Sequence, residues 1–295
     1  MTIPFKLSGW ALAIFFAAVA FSSTAVQSQS GFSFQTFQVP GSTQTAANGV
    51  NNHGVIVGWA AGGDFASEVG FSFTPDTNTY QIISCPGSTR SGAEGINDNN
   101  VVVGACTING VITGFGEQDG NFTLIAFPGA SSTECLGINN LGQIVGNYRD
   151  STGGHGFVYA NGKFKSIRHG SETIVYGINN TGELVGSSVP GRYAHGFIKL
   201  KHFESIIYPA PGTRDTSVNG VNDTGDLVGD WRGPVPDGEH GFLFINSDSS
   251  FVAIDLGDGT ETSCRGINNS GEIVGFYTIS GGGNNFYGFY AQRMK

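Results

Sequence analysis

Polar and apolar positions alternate in one short pattern that returns six times. The copy at 266–275 reads Gly266-Ile267-Asn268-Asn269-Ser270-Gly271-Glu272-Ile273-Val274-Gly275, and the other copies begin at Gly49, Gly95, Gly137, Gly177 and Gly220. Each holds Gly, an aliphatic residue, Asn, then Asn or Asp, followed by a glycine-like turn position, two aliphatics and Gly. Two apolar strands meeting at a polar turn predict a β-hairpin. Asn suits the first position of a type I turn, and the residue that closes such a turn needs positive φ. Glycine supplies it at Gly54, Gly142, Gly182, Gly225 and Gly271, while Asn100 stands there in the second copy. Asparagine is the non-glycine residue that best tolerates that conformation.

The interior copies extend this hairpin to four strands, A to D. Strand A ends in the Gly-Ile-Asn and strand B carries the Ile-Val-Gly. C begins near a Gly-Phe pair, as at Gly70-Phe71, Gly114-Phe115 and Gly156-Phe157, and D often ends in Pro-Gly, as at Pro86-Gly87 and Pro128-Gly129. By subtraction of the starting positions, successive hairpins lie 46, 42, 40, 43 and 46 residues apart, the spacing of four-stranded propeller blades. The sixth repeat stops after C, whereas residues 31–41 read as a D strand with nothing before it. The two ends complete one blade, which predicts an all-β, six-bladed β-propeller closed by its N-terminal strand. A linear β-solenoid shows a similar period, but it does not call for a strand missing at one end and spare at the other. Phe34, Phe37 and Val39 are therefore expected to pack into the sixth blade beside residues 287–290.

The triplets His155-Gly156-Phe157, His195-Gly196-Phe197 and His240-Gly241-Phe242 resemble the motif of bacterial exported proteins carrying the HAF repeat, and the resemblance spans essentially all of residues 29–295. Glycine replaces the alanine of that motif throughout. Val69, Thr113 and Tyr287 stand in the histidine's place in the first, second and sixth copies. The resemblance implies the repeat fold and carries no common activity.

With 47 Gly, 23 Phe and only 13% charged residues, the composition suits short strands and tight turns. The formal charge of -9 argues against nucleic acid and anionic membrane surfaces as partners. Residues 1–28 read as a signal peptide, with Lys6, an apolar run over 11–21 and small residues at Ser22, Ser23, Thr24 and Ala25; the run is short for a membrane anchor. The expected mature chain, residues 29–295, is one domain, monomeric, without membrane insertion, and secreted or periplasmic.

No metalloprotease, nucleophile-elbow, phosphate-loop or EF-hand motif is present. His155, His195 and His240 share one repeat position and so should lie in three different blades as structural residues. Asn51, Asp98, Asn139, Asn179, Asp223 and Asn268 would ring one face, where turn formation accounts for them. The acidic stretch 255–261 reads as a turn. No cofactor, metal or catalytic group is expected, and no cluster of acids, His or nucleophiles stands out from the repeat.

Variation concentrates in the B-to-C connections, 64–68, 149–154, 189–194, 232–239 and 280–285, which share a face with the D-to-A crossings. Trp59, Tyr148, Arg149, Asp230, Trp231, Arg232 and Tyr277 near the ends of B strands form a candidate ligand-binding set, because exposed aromatics beside charged groups suit sugars. The same aromatics would serve equally well as filling between blades. The resulting expectation is a non-enzymatic binding module for a glycan or cell-surface protein; the alternative is a hydrolase or lyase acting on polysaccharide or a small molecule at the loop-face end of the channel. Export permits disulfides. Cys85 and Cys106 fall at the loop face of neighbouring blades and are expected to pair, leaving Cys135 and Cys264 as buried thiols in opposite blades.

Overall fold

A computed structural model describes residues 25–26, 31–206, 212–233, 238–256, 261–279 and 285–294. Its strands form six antiparallel sheets arranged as a six-bladed β-propeller. The innermost A strands are Gln44–Val50, Arg90–Ile96, Ser132–Ile138, Thr173–Ile178, Asp215–Val221 and Thr262–Ile267. Each pairs with its own B strand, then C, then D, from the axis outward. In the sixth blade the D strand is Phe32–Phe37, which pairs along Phe286–Arg293 from Phe32↔Arg293 to Phe37↔Gly288. Ala25–Val26, within the segment read as a signal peptide, adds a fifth strand outside it.

Closure is shared between two blades. Phe34 packs in the sixth-blade core with Phe289, whereas Val39 and Phe37 pack with Ala47, Phe71 and Phe73 of the first. The strand alternates Phe32 and Phe34 inward, and the chain then turns toward Gln44–Val50, so its last apolar residues reach the seam between blades rather than the sixth blade alone.

Each blade core is built on the phenylalanine of the Gly-Phe pair. Phe71, Phe115, Phe157, Phe197, Phe242 and Phe289 are all fully buried. Opposite each ring the B strand has glycine, as in Gly104↔Phe115 and Gly229↔Phe242. A Cβ on Gly104 or Gly229 would run into the carbonyl oxygen of Gly92 or Ser217 on strand A at 2.0 and 1.9 Å, and would also lie within 2.9 Å of that ring. The repeat glycine of strand A has a different cause. A Cβ on Gly95 would sit 3.1 Å from the Cα of Gly137, and on Gly266 3.2 Å from that of Gly49, so a side chain there would press on the neighbouring A strand.

The A-to-B hairpins have the expected turn. The amide of Gly54 donates to the Asn51 carbonyl at 3.1 Å, and Gly54 and Asn100 have φ of 74° and 57°. The first Asn of each copy does more than turn the chain. Oδ1 of Asn51 accepts from the amides of His53 and Val55, while its Nδ2 donates to the carbonyl of Asn97 in the next blade. The same donation runs Asn97 to Asn139, Asn139 to Asn179, Asn179 to Asn222, Asn222 to Asn268 and Asn268 back to Asn51. A closed ring of six bonds results. A second ring joins the following residues, in which Asp98 accepts from Asn52 and Asn140, and Asp223 from Asn180 and Asn269. Burial alone would raise the pKa of these two carboxyls, but the donated bonds hold both below the ordinary aspartate value.

Cys85 and Cys106 are joined by a disulfide with Cα atoms 6.3 Å apart, while Cys135 and Cys264 are free and buried. A Cβ on Gly114 or Gly241, in the preceding blades, would come within 2.7 Å of these two sulfurs, so they fill the space that the Gly-Phe glycines leave.

Candidate functional site

Beyond the hairpin rings, toward the opposite face, the A strands stop repeating. The residue just before each repeat glycine is Asn48, Glu94, Leu136, Tyr176, Asn219 or Arg265, five residue types over six positions, each set between a small apolar residue and the glycine. A β-bulge falls there in every blade, between Ala47 and Gly49 in the first and between Cys264 and Gly266 in the sixth. A bulge re-aims the residue it adds. These positions lie on the innermost strands, between the hairpin turns and the strand starts.

Contacts join them across blades. Nδ2 of Asn48 donates to Glu94 at 2.8 Å. Nδ2 of Asn219 donates to Asp230 at 2.6 Å and to the Cys264 carbonyl, and the Ser263 hydroxyl donates to the same Asp230 oxygen at 2.8 Å. The Arg265 guanidinium rests 5.0 Å over the Phe276 ring. Phe276 meets Phe286 edge-on, and Phe286 meets Trp59 at 5.7 Å, which makes an aromatic arc from the sixth blade into the first. Between the second and third blades a cavity of ≈ 170 Å³ opens beside this group, lined by Glu68, Arg90, Glu94, Cys106 and Glu134 among others.

Burial pushes the Glu94 carboxyl up to about 8, with Arg265 pulling it back only in part, so Glu94 is largely protonated at neutral pH although some of its surface stays open. Asp230 and Tyr176 are likewise raised by burial against the pull of Arg265. One guanidinium thus acts on groups from the second, fourth and fifth blades. Three buried polar atoms of the neighbourhood, Asn147 Oδ1, Asn219 Oδ1 and Arg265 Nε, have no hydrogen-bond partner among the described residues.

The candidate set read from the sequence divides by strand alternation. Trp59 and Asp230 follow the B-strand glycine by one and join the group just described, Trp59 through Phe286 and Asp230 through Asn219. Tyr148, Trp231 and Tyr277 follow it by two and are buried between blades, at 2%, 8% and 9% exposure. Tyr148 stacks on Phe127, Trp231 on His240, and Tyr277 tilts against Tyr287. They do not form the exposed platform expected of them. Arg149 and Arg232 are exposed and paired with Glu172 and Glu239. The connections expected to vary are partly strand: B and C run on to two-residue turns at Gly62/Phe65 and Asp150/Gly153. Residues 234–237, 280–284 and 257–260 lie outside the described residues, and with them much of two connections and of the acidic stretch.

His155 bonds Thr152 at 2.8 Å and His240 bonds Asp255 at 3.1 Å, each holding a loop. The absence of a polar cluster apart from the repeat, expected from the sequence, is corrected by Glu94, Tyr176, Asn219, Asp230 and Arg265. Their signal was present as a variable column directly before the repeat glycine.

No protein-family model matches the sequence, and no curated protein matches it. The resemblance to HAF-repeat proteins therefore rests on the residues alone. Solved structures agree on the fold. A protein from Dyadobacter fermentans superposes with a TM-score of 0.54 at 12% identity, over 90% of this chain and 100% of that one. A catalytically inactive virginiamycin B lyase from Staphylococcus aureus, with quinupristin, gives 0.50 at 10% identity over 89% and 100%. The β-propeller domain of the Trilobed protease from Pyrococcus furiosus gives 0.50 at 8% over 88% and 92%. At these identities the likeness concerns the fold and no more.

Proposed function

We propose that the chain is an exported binding module that takes a polar, hydroxylated ligand, such as a glycan on a cell surface, at the axial mouth of the loop face. The observation that carries this reading is the convergence of unlike polar side chains from different blades, Glu94, Tyr176, Asn219, Asp230 and Arg265, beside the aromatic arc of Trp59, Phe286 and Phe276. Aromatic faces receive the apolar side of a sugar ring, and amides and carboxyls of fixed orientation read its hydroxyls.

A second reading, a hydrolase or lyase at the same place, is favoured by one observation. Glu94 carries its proton near neutral pH and could serve as a general acid. A glycan-array screen of the mature chain, followed by chromatography of each hit after long incubation, separates the two. Binding with the ligand recovered intact supports the module. New reducing or unsaturated ends would replace it with the enzyme, and an array without hits would overturn both.

A further inference from the structure

Arg265 differs from three arginines near this face. Arg90, Arg149 and Arg232 each pair with a glutamate within 3.1 Å. Arg265 makes no ion pair or hydrogen bond among the described residues, its Nε is buried without a partner, and one side of its guanidinium is covered by Phe276. An unpaired cation in such a place is costly, and a planar guanidinium is shaped to receive a carboxylate through two parallel bonds.

We infer, resting on the axial binding site proposed above, that its ligand is an acidic sugar whose carboxylate is received by Arg265 and whose hydroxyls are read by Asn219 and Asp230. The surroundings permit an anion. Glu68 is neutralised by Arg90 at 2.7 Å, and Glu94 is held by Asn48. Burial favours the proton on Glu94 and Asp230. Glu239 acts on Asp230 from the same blade and is paired with Arg232 at 2.7 Å, and Glu134 lies in the third blade, on the side of the cavity shared with Glu94. Asp230 already accepts from Asn219 and Ser263, which fixes its orientation toward a ligand hydroxyl.

The test is calorimetric titration of the full mature chain with galacturonic acid and, separately, with galactose. Galacturonic acid should bind about ten- to a hundredfold more tightly, the range of a hydrogen bond to a charged group. Arg265→Gln should abolish that preference, and Arg265→Lys, which keeps the charge but loses the fork, should restore part of it. Thermal melting of both variants shows whether they are folded, and removal of an unpaired cation should leave the melting point unchanged or higher. Equal binding of the two sugars, or a preference that survives Arg265→Gln, would overturn the acidic-sugar assignment and leave the axial site standing. Failure of both sugars to bind at millimolar concentration would count against the site itself.

Discussion

Asn139 shows how much one repeated residue does. It is 4% exposed, accepts from the amides of Leu141 and Gln143, and donates to the Asn179 carbonyl and the Gln143 side chain. The turn role was legible in the sequence, since Asn before a glycine-like position signals it. The ring was not, because its bonds join residues 40 or more positions apart. Asn139→Ala should therefore cost roughly 2–3 kcal/mol, more than a turn residue alone, from several buried bonds of about 1 kcal/mol each. Urea unfolding of the variant measures it, and a loss under about 1 kcal/mol, the size of a single bond, would mean that the ring is dispensable. Glu94 gives a residue-scale prediction of the opposite kind. Its pKa rises from 4.5 unfolded to about 8 folded, so the folded state holds the proton more tightly. Stability from this group is fully present below about 4.5 and is lost as pH rises toward 8. Melting curves across that window should fall more steeply for the native chain than for Glu94→Gln, with the variant the more stable above the folded pKa. Parallel curves would contradict the assignment.

At the scale of elements, strand order, hairpin turns and closure could all be read from period and turn chemistry. Side-chain direction was harder. Tyr148 and Trp231 sit one position beyond the axial register, and a single step along a strand moves a residue from the site into the seam between blades. The bulge before each repeat glycine hides the axial column further, because it shifts the register without a marker of its own. The N-terminal strand carries a direct consequence. Phe32, Phe34 and Val39 are buried, and at about 1.5–3 kcal/mol each their loss rivals the whole stability of a typical domain. Deleting residues 31–41 should give an aggregated or unfolded product by gel filtration and circular dichroism. A truncated protein that melted like the chain from residue 29 onward would argue against closure. The disulfide acts at the same scale: it ties blades one and two through a separation of 21 residues and should contribute about 3 kcal/mol. Mass spectrometry of the unreduced, alkylated protein should find Cys85 linked to Cys106 with Cys135 and Cys264 free. A peptide joining Cys135 to Cys264 would break both the pairing and the blade order.

For the molecule as a whole, the two ends of the axis are unlike. One end is tied by two rings of asparagine and aspartate to which every blade contributes. The other gathers residues that scarcely repeat from blade to blade. Repetition makes the scaffold, and departure from repetition makes the site, which is why a reading based on the repeat found the fold and passed over most of the candidate residues. The most direct test sets the axial mouth against the outer loops on one glycan array, with the native chain beside an Asp230→Ala, Arg265→Gln variant and an Arg149→Ala, Arg232→Ala variant, all shown to be folded by thermal melting. Binding should disappear in the axial variant and persist in the loop variant. Binding that survives the axial changes, or that is lost only with the loop arginines, would contradict an axial site.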